Sequence, residues 1–351
     1  MYIYFLIWFS IVLTNFIVNY KTPLSKIFFF LFLIFLIFFI GFRYEVGGDW
    51  ENYFSIYKDF KYLGFTEAMF IMDPGYSFLN LLGNYLNIRE IWFVNFISSI
   101  IICVFIFLSF VKLEKYWLCM LIYFPYHILV VSLGYTRQAI AVAILVYAFI
   151  FLLNDKRYQF IFFLLVASLF HKTAIVFMLF YPILYLKNKR LLMVIYQFCS
   201  LIFVTFIVYM SSISDRSIYT TNDVVTSSGA LMRLTLHFIP LVFYLFYRKV
   251  FFKSKYLILD YFFLLILYCT AMSFVYSTLA DRFNVYLIFF DLYVLINIYK
   301  NFYAINKKII VLFLTLFYTG FIGTWLLNSE IVKIAWIPYK NYLWAYLLEI
   351  L

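Results

Sequence analysis

The chain has 351 residues, 67% of them hydrophobic, 25% aromatic and only 12% charged, with a mean hydropathy of +0.99. Soluble domains carry about twice that share of charge, so this composition excludes a soluble globular protein. The formal net charge of +11 would suit nucleic acid, but its distribution along the chain follows membrane topology, and no nucleic-acid partner is expected.

Apolar runs of about 20 residues recur from end to end, enough to cross about 30 Å of hydrocarbon as helices. Twelve spans are read, over 2–19, 26–42, 91–111, 116–134, 137–153, 158–171, 173–186, 191–211, 231–247, 256–276, 283–299 and 309–327. The expected fold is an all-α polytopic integral membrane protein, a single transmembrane domain over 1–351 with sizeable outer loops. The first run has no basic segment before it and no small-residue cleavage site after it, so a membrane helix is expected there and not a cleaved leader. Cys103, Cys119, Cys199 and Cys269 lie inside apolar runs without CxxC spacing, which predicts structural thiols and no metal site.

Six short loops separate the spans on one side: KTPLSK (21–26), KLEK (112–115), NDKR (154–157), KNKR (187–190), RKVFFKSK (248–255) and KNFYAINKK (300–308). They hold 16 of the 27 Lys and Arg residues, so the positive-inside rule makes them cytoplasmic. The outer side then holds loop 43–90, loop 212–232 and an amphipathic tail over 328–351, together with 12 of the 16 acidic residues. Within the tail, IPYKNYLWAY (337–346) has the aromatic composition of an interface anchor.

The division between lysine and arginine carries more information. The inner loops have 13 Lys and three Arg, whereas the outer half has five Lys and six Arg: Arg43, Arg89, Arg137, Arg216, Arg233 and Arg282. Topology is indifferent to which base is used, but phosphate recognition favours the planar guanidinium fork. Measured along each span from its inner charge, Arg43, Arg137, Arg233 and Arg282 rise about 22–29 Å, one layer near the outer interface. Between them, YQFIFFLLVASLF and TAIVFMLFYPILYL each supply only about 20 Å of α-helix, which places His171 and Lys172 at the apex of a short, recessed hairpin. Ionisable groups at that depth face a protein-lined or aqueous cavity.

RYEVGGDWENYFSIY (43–57) brings Arg43, Glu45, Asp49 and Glu51 together with aromatics as the second span exits, a composition suited to sugars. Asp291 interrupts an apolar run and reads as an inter-helix hydrogen-bonding group, with a transporter's proton relay as the other reading. His127 and His237 sit on apolar faces and read as structural. The chain has no P-loop, no HExxH helix and no GxSxG elbow.

FRYEVGGDWENY, GYTRQAIAVAILV, SLFHKTAIVFML, ADRFNVYL and WIPYKNYL, in that order, resemble the EpsG/Wzy-like family of bacterial O-antigen and exopolysaccharide polymerases. The resemblance covers most of the chain and implies a multispanning, metal-independent, lipid-linked glycosyltransferase without a cofactor. It implies a bacterial inner-membrane protein whose active site faces the periplasm. Its substrates would be oligosaccharide repeat units on undecaprenyl diphosphate, with membrane lipids, a flippase and a chain-length regulator as partners. On this reading Arg137 holds the diphosphate, Arg282, Arg43 and Arg233 line the same or a second carrier site, and Gln138 and Lys172 assist. Glu45 contacts sugar, and Asp49 or His171 is the base; the sequence does not decide between them. The rival readings are a lipid-linked oligosaccharide flippase, a periplasm-facing glycosyltransferase using a polyprenyl-phosphate sugar, and a polysaccharide ligase.

Overall fold

The computed structural model describes residues 1–18, 22–186, 189–214, 227, 229–253 and 255–344. Among these, every element is helical, and one isolated antiparallel bridge joins Arg43 to Asn341. Helices occupy most of each apolar run read from the sequence, but among the described residues they do not make twelve membrane-length spans. Six helices are long and apolar enough to cross a membrane: Pro23–Gly41, Trp92–Leu113, Thr136–Leu153, Ala230–Phe251, Tyr256–Ser273 and Ile305–Asn328. Tyr2–Ile17, Tyr116–Ser132, Arg157–Phe170, Lys172–Leu184 and Leu191–Phe206 are apolar but shorter. The chain is thus an all-α, multi-pass membrane protein that packs as two compact units. The first comprises Met1–Tyr147, Leu165–Lys172 and Phe302–Leu351, the second Ala148–Leu164 and Thr173–Asn301.

In the first unit α1 (Tyr2–Ile17) is followed by α2 (Pro23–Gly41), which starts from extended Thr22 with Pro23 in its first turn, where a missing N–H costs nothing. The segment 43–90 is not an open loop. It folds as α3 (Trp50–Asp59), α4 (Phe65–Ile71) and α5 (Pro74–Tyr85). Trp50, Tyr53 and Tyr57, spaced three and four apart, form one buried stripe on α3. That stripe packs on Tyr76 and Leu79 of α5 and on Ile91 and Val94. Next come α6 (Trp92–Leu113), which packs along α2, and α7 (Tyr116–Tyr123). Helix α7 runs on into a wider π-helical stretch, Phe124–Ser132, every residue of which is buried, His127 included. There Ser132 Oγ donates to the His127 carbonyl at 2.7 Å. The next helix, α8 (Thr136–Leu153), is the most enclosed of the membrane-length helices, 83% buried over its apolar window. Its alanines at 139, 141 and 143 let neighbours approach closely. Helix α9 (Arg157–Phe170) ends at His171.

The second unit follows. A 3₁₀ helix, Lys172–Phe180, and a further turn, Pro182–Leu184, lead into it. At about 2.0 Å rise per residue, these twelve 3₁₀ residues reach about 24 Å, farther than the α-helical estimate allowed. Next are α10 (Arg190–Ser214), α11 (Ala230–Leu234), α12 (Phe238–Phe251), α13 (Tyr256–Ser273), α14 (Ser277–Asn284) and α15 (Ile288–Asn301). Phe149 is ringed by Phe177, Phe180, Phe262 and Phe289, with centroids 4.9–5.7 Å apart, and this aromatic cluster is the unit's core. Asp291 on α15 pairs with His237 Nδ1 at 2.7 Å, and His237 Nε2 lies 2.6 Å from Asn284 Oδ1. Asp291 is therefore an inter-helix partner, as its position in the sequence suggests. The four cysteines are free thiols.

The chain returns to the first unit through α16 (Ala304–Asn328) and α17 (Glu330–Ala335). Beyond α17 the tail is a strap. The Trp336 ring is buried and donates from Nε1 to the Leu129 carbonyl at 2.9 Å, and Tyr4 donates to the Trp336 carbonyl at 2.7 Å. Tyr44 N donates to Lys340 O at 3.0 Å and Tyr342 N to Phe42 O at 2.8 Å. Residues 345 onward, like most of loop 212–232 with Arg216, lie outside the described residues.

Candidate functional site

The first unit gathers seven of the residues singled out above: Arg43, Glu45, Asp49, Arg137, Gln138, His171 and Lys172. The chain reaches this site by a tight path. Gly47 has φ +113°, and a Cβ there would overlap the Leu133 carbonyl oxygen. Only glycine combines that backbone with that approach. It lets 43–49 pass directly over the turn preceding α8.

Arg43 is 1% exposed and enclosed by protein. Its Nε donates to Val46 O at 3.2 Å and Nη1 to Ile40 O at 2.9 Å. Its Nη2 donates to Asn95 Oδ1 at 3.0 Å and to Thr136 Oγ1 at 2.7 Å. Four of the five guanidinium donors are thereby spent on the end of α2, on Val46 in the turn after it, on α6 and on the first residue of α8. The sequence reading put Arg43 among the substrate ligands; the structure places it beneath the site, fixing where α8 begins.

The next residue along α8 faces a different environment. Arg137 is 27% exposed, and its Nη1 donates to Asp73 Oδ2 at 2.9 Å. The guanidinium carbon stands 5.7 Å from the centre of the Tyr53 ring, a cation–π contact. Its Nε is buried without a protein partner. Asp73 and Tyr53 thus hold the guanidinium while part of the side chain stays open to the surface.

Asp73, absent from the sequence-derived candidates, organises the group. It stands at the N-terminus of α5 but makes no side-chain cap bond to its own helix. One carboxylate oxygen takes Arg137, and the other accepts the backbone N–H of Lys172 at 2.8 Å. Gly75 makes that reach possible: a Cβ there would sit 3.0 Å from the Leu169 carbonyl oxygen, so α5 abuts the last turn of α9. Asp73 thus ties the head of α8 to the His171–Lys172 apex. His171 is half-buried, Lys172 exposed and Gln138 6% exposed.

Asp49 belongs to the same electrostatic group. Burial pushes the Tyr53 phenol above its ordinary value, the adjacent Arg137 pulls it back, and Asp49 pushes it up again. Tyr76 is likewise raised by burial and feels Tyr53, Arg43, Arg137 and Asp49. Both aromatic residues lie on α3 and α5, outside the membrane-length helices. Glu45 stands apart at the rim, exposed, with φ +50°, paired with Lys340 of the strap. That hydrogen bond holds its carboxyl below the ordinary value.

Arg233 and Arg282 belong to the second unit. Arg233 pairs with Asp281 on α14 and donates to Ser227 Oγ at 3.2 Å. Arg282, the next residue along α14, is exposed. ADRFN thus supplies Asp281 to Arg233, Asn284 to His237, and Arg282 to the surface. Among the described residues no three His, Cys, Asp or Glu side chains converge as metal ligands.

Sequence reasoning missed Asp73, Asn95 and Thr136. Asp-Pro-Gly before an apolar run reads as a helix start, and that reading hides a carboxylate directed elsewhere. In a family comparison, the EpsG family matches residues 26–341. No curated protein and no solved structure matches the chain.

Proposed function

This chain belongs to the EpsG family, Wzy-like polymerases, by a match over nearly its whole length, and on that premise we propose that it polymerises repeat units carried on undecaprenyl diphosphate. The carrier-linked chain would be the donor and a second carrier-linked unit the acceptor. An acceptor hydroxyl attacks the anomeric carbon of the donor, and the bond from that carbon to the diphosphate oxygen breaks. The hydroxyl proton passes to a base, and undecaprenyl diphosphate departs with the electron pair. The active site would face the periplasm.

The observation that carries this reading is Asp73, which holds Arg137 beside the His171–Lys172 apex while leaving about a quarter of the Arg137 side chain open to the surface. Negative charge grows on the leaving diphosphate, and a preorganised guanidinium stabilises it without reorganising at the moment of reaction. Lys172, exposed at the apex, would add a second cation. Of the two candidates, we assign Asp49, a carboxylate near Tyr53 and Tyr76, as the base, and His171 would position the acceptor. Arg43 supports the site from beneath. Arg233 and Arg282 would serve a second carrier, since one diphosphate cannot use every guanidinium.

The test is polymerisation by purified protein from undecaprenyl-diphosphate-linked repeat units, resolved on a gel. Wild type should give a ladder at repeat-unit spacing, Arg137→Ala and Asp49→Asn should give none, and His171→Gln should give a weakened ladder. A full ladder from Asp49→Asn with none from His171→Gln would exchange the two roles. A full ladder from Arg137→Ala would refute the reading.

A further inference from the structure

The second unit contains a cavity that the polymerase reading does not use. Its volume is about 630 Å³, and it lies where α10, the end of α12 and the start of α13 meet. Arg248, Lys249 and Lys253 belong to its lining, all from the RKVFFKSK segment that the charge pattern places at the inner face. Asp260 faces them, and Arg248 is committed to it. Arg248 Nε donates to Oδ1 at 2.6 Å, Nη2 donates to Oδ2, and Tyr244 adds its hydroxyl to Oδ1 at 2.7 Å. The guanidinium also rests over the Tyr256 ring, 5.0 Å from its centre.

Arg248 and Asp260 therefore cancel in charge and form a fixed wall. Lys249 and Lys253 are exposed and pair with no carboxylate among the described residues, so two positive charges remain uncompensated. Leu186, Met193, Val194 and Leu257 add apolar surface to the same lining. Val194 on α10 and Val250 on α12 are 43% and 61% exposed, on helices that read as facing lipid. Topology alone asks for lysines at the membrane edge; it asks for neither a cavity nor apolar lining next to them.

We infer that this cavity binds the phosphate headgroup of an anionic glycerophospholipid. Lys249 and Lys253 take the phosphate, Gln197 hydrogen-bonds the glycerol oxygens, and an acyl chain lies along Met193 and Leu257. Basic pockets between membrane helices on the cytoplasmic side suit such headgroups, and each lysine near the surface strengthens attraction about fivefold. The inference does not depend on the polymerase reading.

The full chain, purified in neutral detergent, would be titrated with phosphatidylglycerol and the bound lipid counted by native mass spectrometry. Lys249→Ala/Lys253→Ala should weaken binding about 30-fold, and Lys307→Ala/Lys308→Ala, which removes equal charge elsewhere, should leave it unchanged. The melting temperature should be unaltered; should the alanine pair unfold, Lys249→Gln/Lys253→Gln gives the same comparison with side-chain length kept. Excess inorganic phosphate should not displace the lipid. Equal binding by the cavity variant, equal loss in both pairs, or displacement by phosphate would each overturn the lipid site.

Discussion

Two adjacent residues of α8 show how neighbouring positions divide the work. Thr136 is fully buried and receives Arg43, while Arg137 reaches out to Asp73. The two arginines should therefore fail differently. Arg43→Ala strands Ile40 O, Val46 O, Asn95 Oδ1 and Thr136 Oγ1, each an unpaired buried acceptor costing about 1–3 kcal/mol. It should lower the melting temperature of the purified protein by several degrees, and Arg43→Lys should not restore it, because an ammonium cannot span that fork. Arg137→Ala removes the partner of the buried Asp73 carboxylate and should also lower melting, but it should abolish polymerisation, whereas Asp73→Asn/Arg137→Ala, which removes that unpaired charge, should recover melting without recovering polymer. Asp73→Asn keeps the shape but removes a charge-assisted bond of about 1.5–3 kcal/mol, so polymer yield should fall about ten- to hundredfold with Arg137 still present. Much of this was hidden in the sequence. Depth along the spans placed both arginines in one layer, but rise per residue says nothing about partners, so a structural guanidinium and an available one looked alike. Asp73 was hidden for a related reason, since a residue that could cap its own helix reads as one that does.

At the scale of elements, the apolar runs were legible and their winding was not. Lys172–Phe180 is 3₁₀ and Phe124–Ser132 is π-helical, and hydropathy is blind to both. The helical layer in 43–90 left a readable trace, the stripe of Trp50, Tyr53 and Tyr57, but the surrounding charges masked it. The turn before that layer depends on Gly47. Gly47→Ala would drive a Cβ into Leu133 O at a backbone angle that only glycine holds readily, and should abolish both folding yield and activity. The strap offers a gentler probe. Glu45 has a folded-state pKa below its ordinary 4.5, owing chiefly to Lys340, so the clip stabilises the strap above that pH. The contribution disappears as the pH falls below 4.5 and through the depressed folded value. Hydrogen exchange of the Tyr339–Leu343 amides should accelerate there, and Lys340→Gln should show the faster exchange already at neutral pH. Pairing of Tyr44 with Lys340 and of Phe42 with Tyr342 was beyond sequence reasoning, because it joins segments about 300 residues apart.

For the whole molecule, composition alone carried the fold class, since 67% hydrophobic residues admit no soluble solution. Orientation rests on the lysine distribution and has its own test. In a cysteine-free background, Tyr62→Cys in the exposed part of 43–90 should react with an impermeant maleimide applied to intact spheroplasts. Lys253→Cys should react only after the membrane is opened, and the reverse pattern would invert the assignment. Family membership, residues 26–341, supplies the general chemistry of polysaccharide polymerisation. The side chains of the first unit supply a specific claim about where the diphosphate is gripped. The most direct measurement is the affinity of purified protein for undecaprenyl diphosphate, in wild type, Asp73→Asn and Arg137→Ala. Affinity should fall in steps, about tenfold for Asp73→Asn and at least that for Arg137→Ala, consistent with one or two charge-assisted hydrogen bonds. Equal affinity in all three proteins would contradict it.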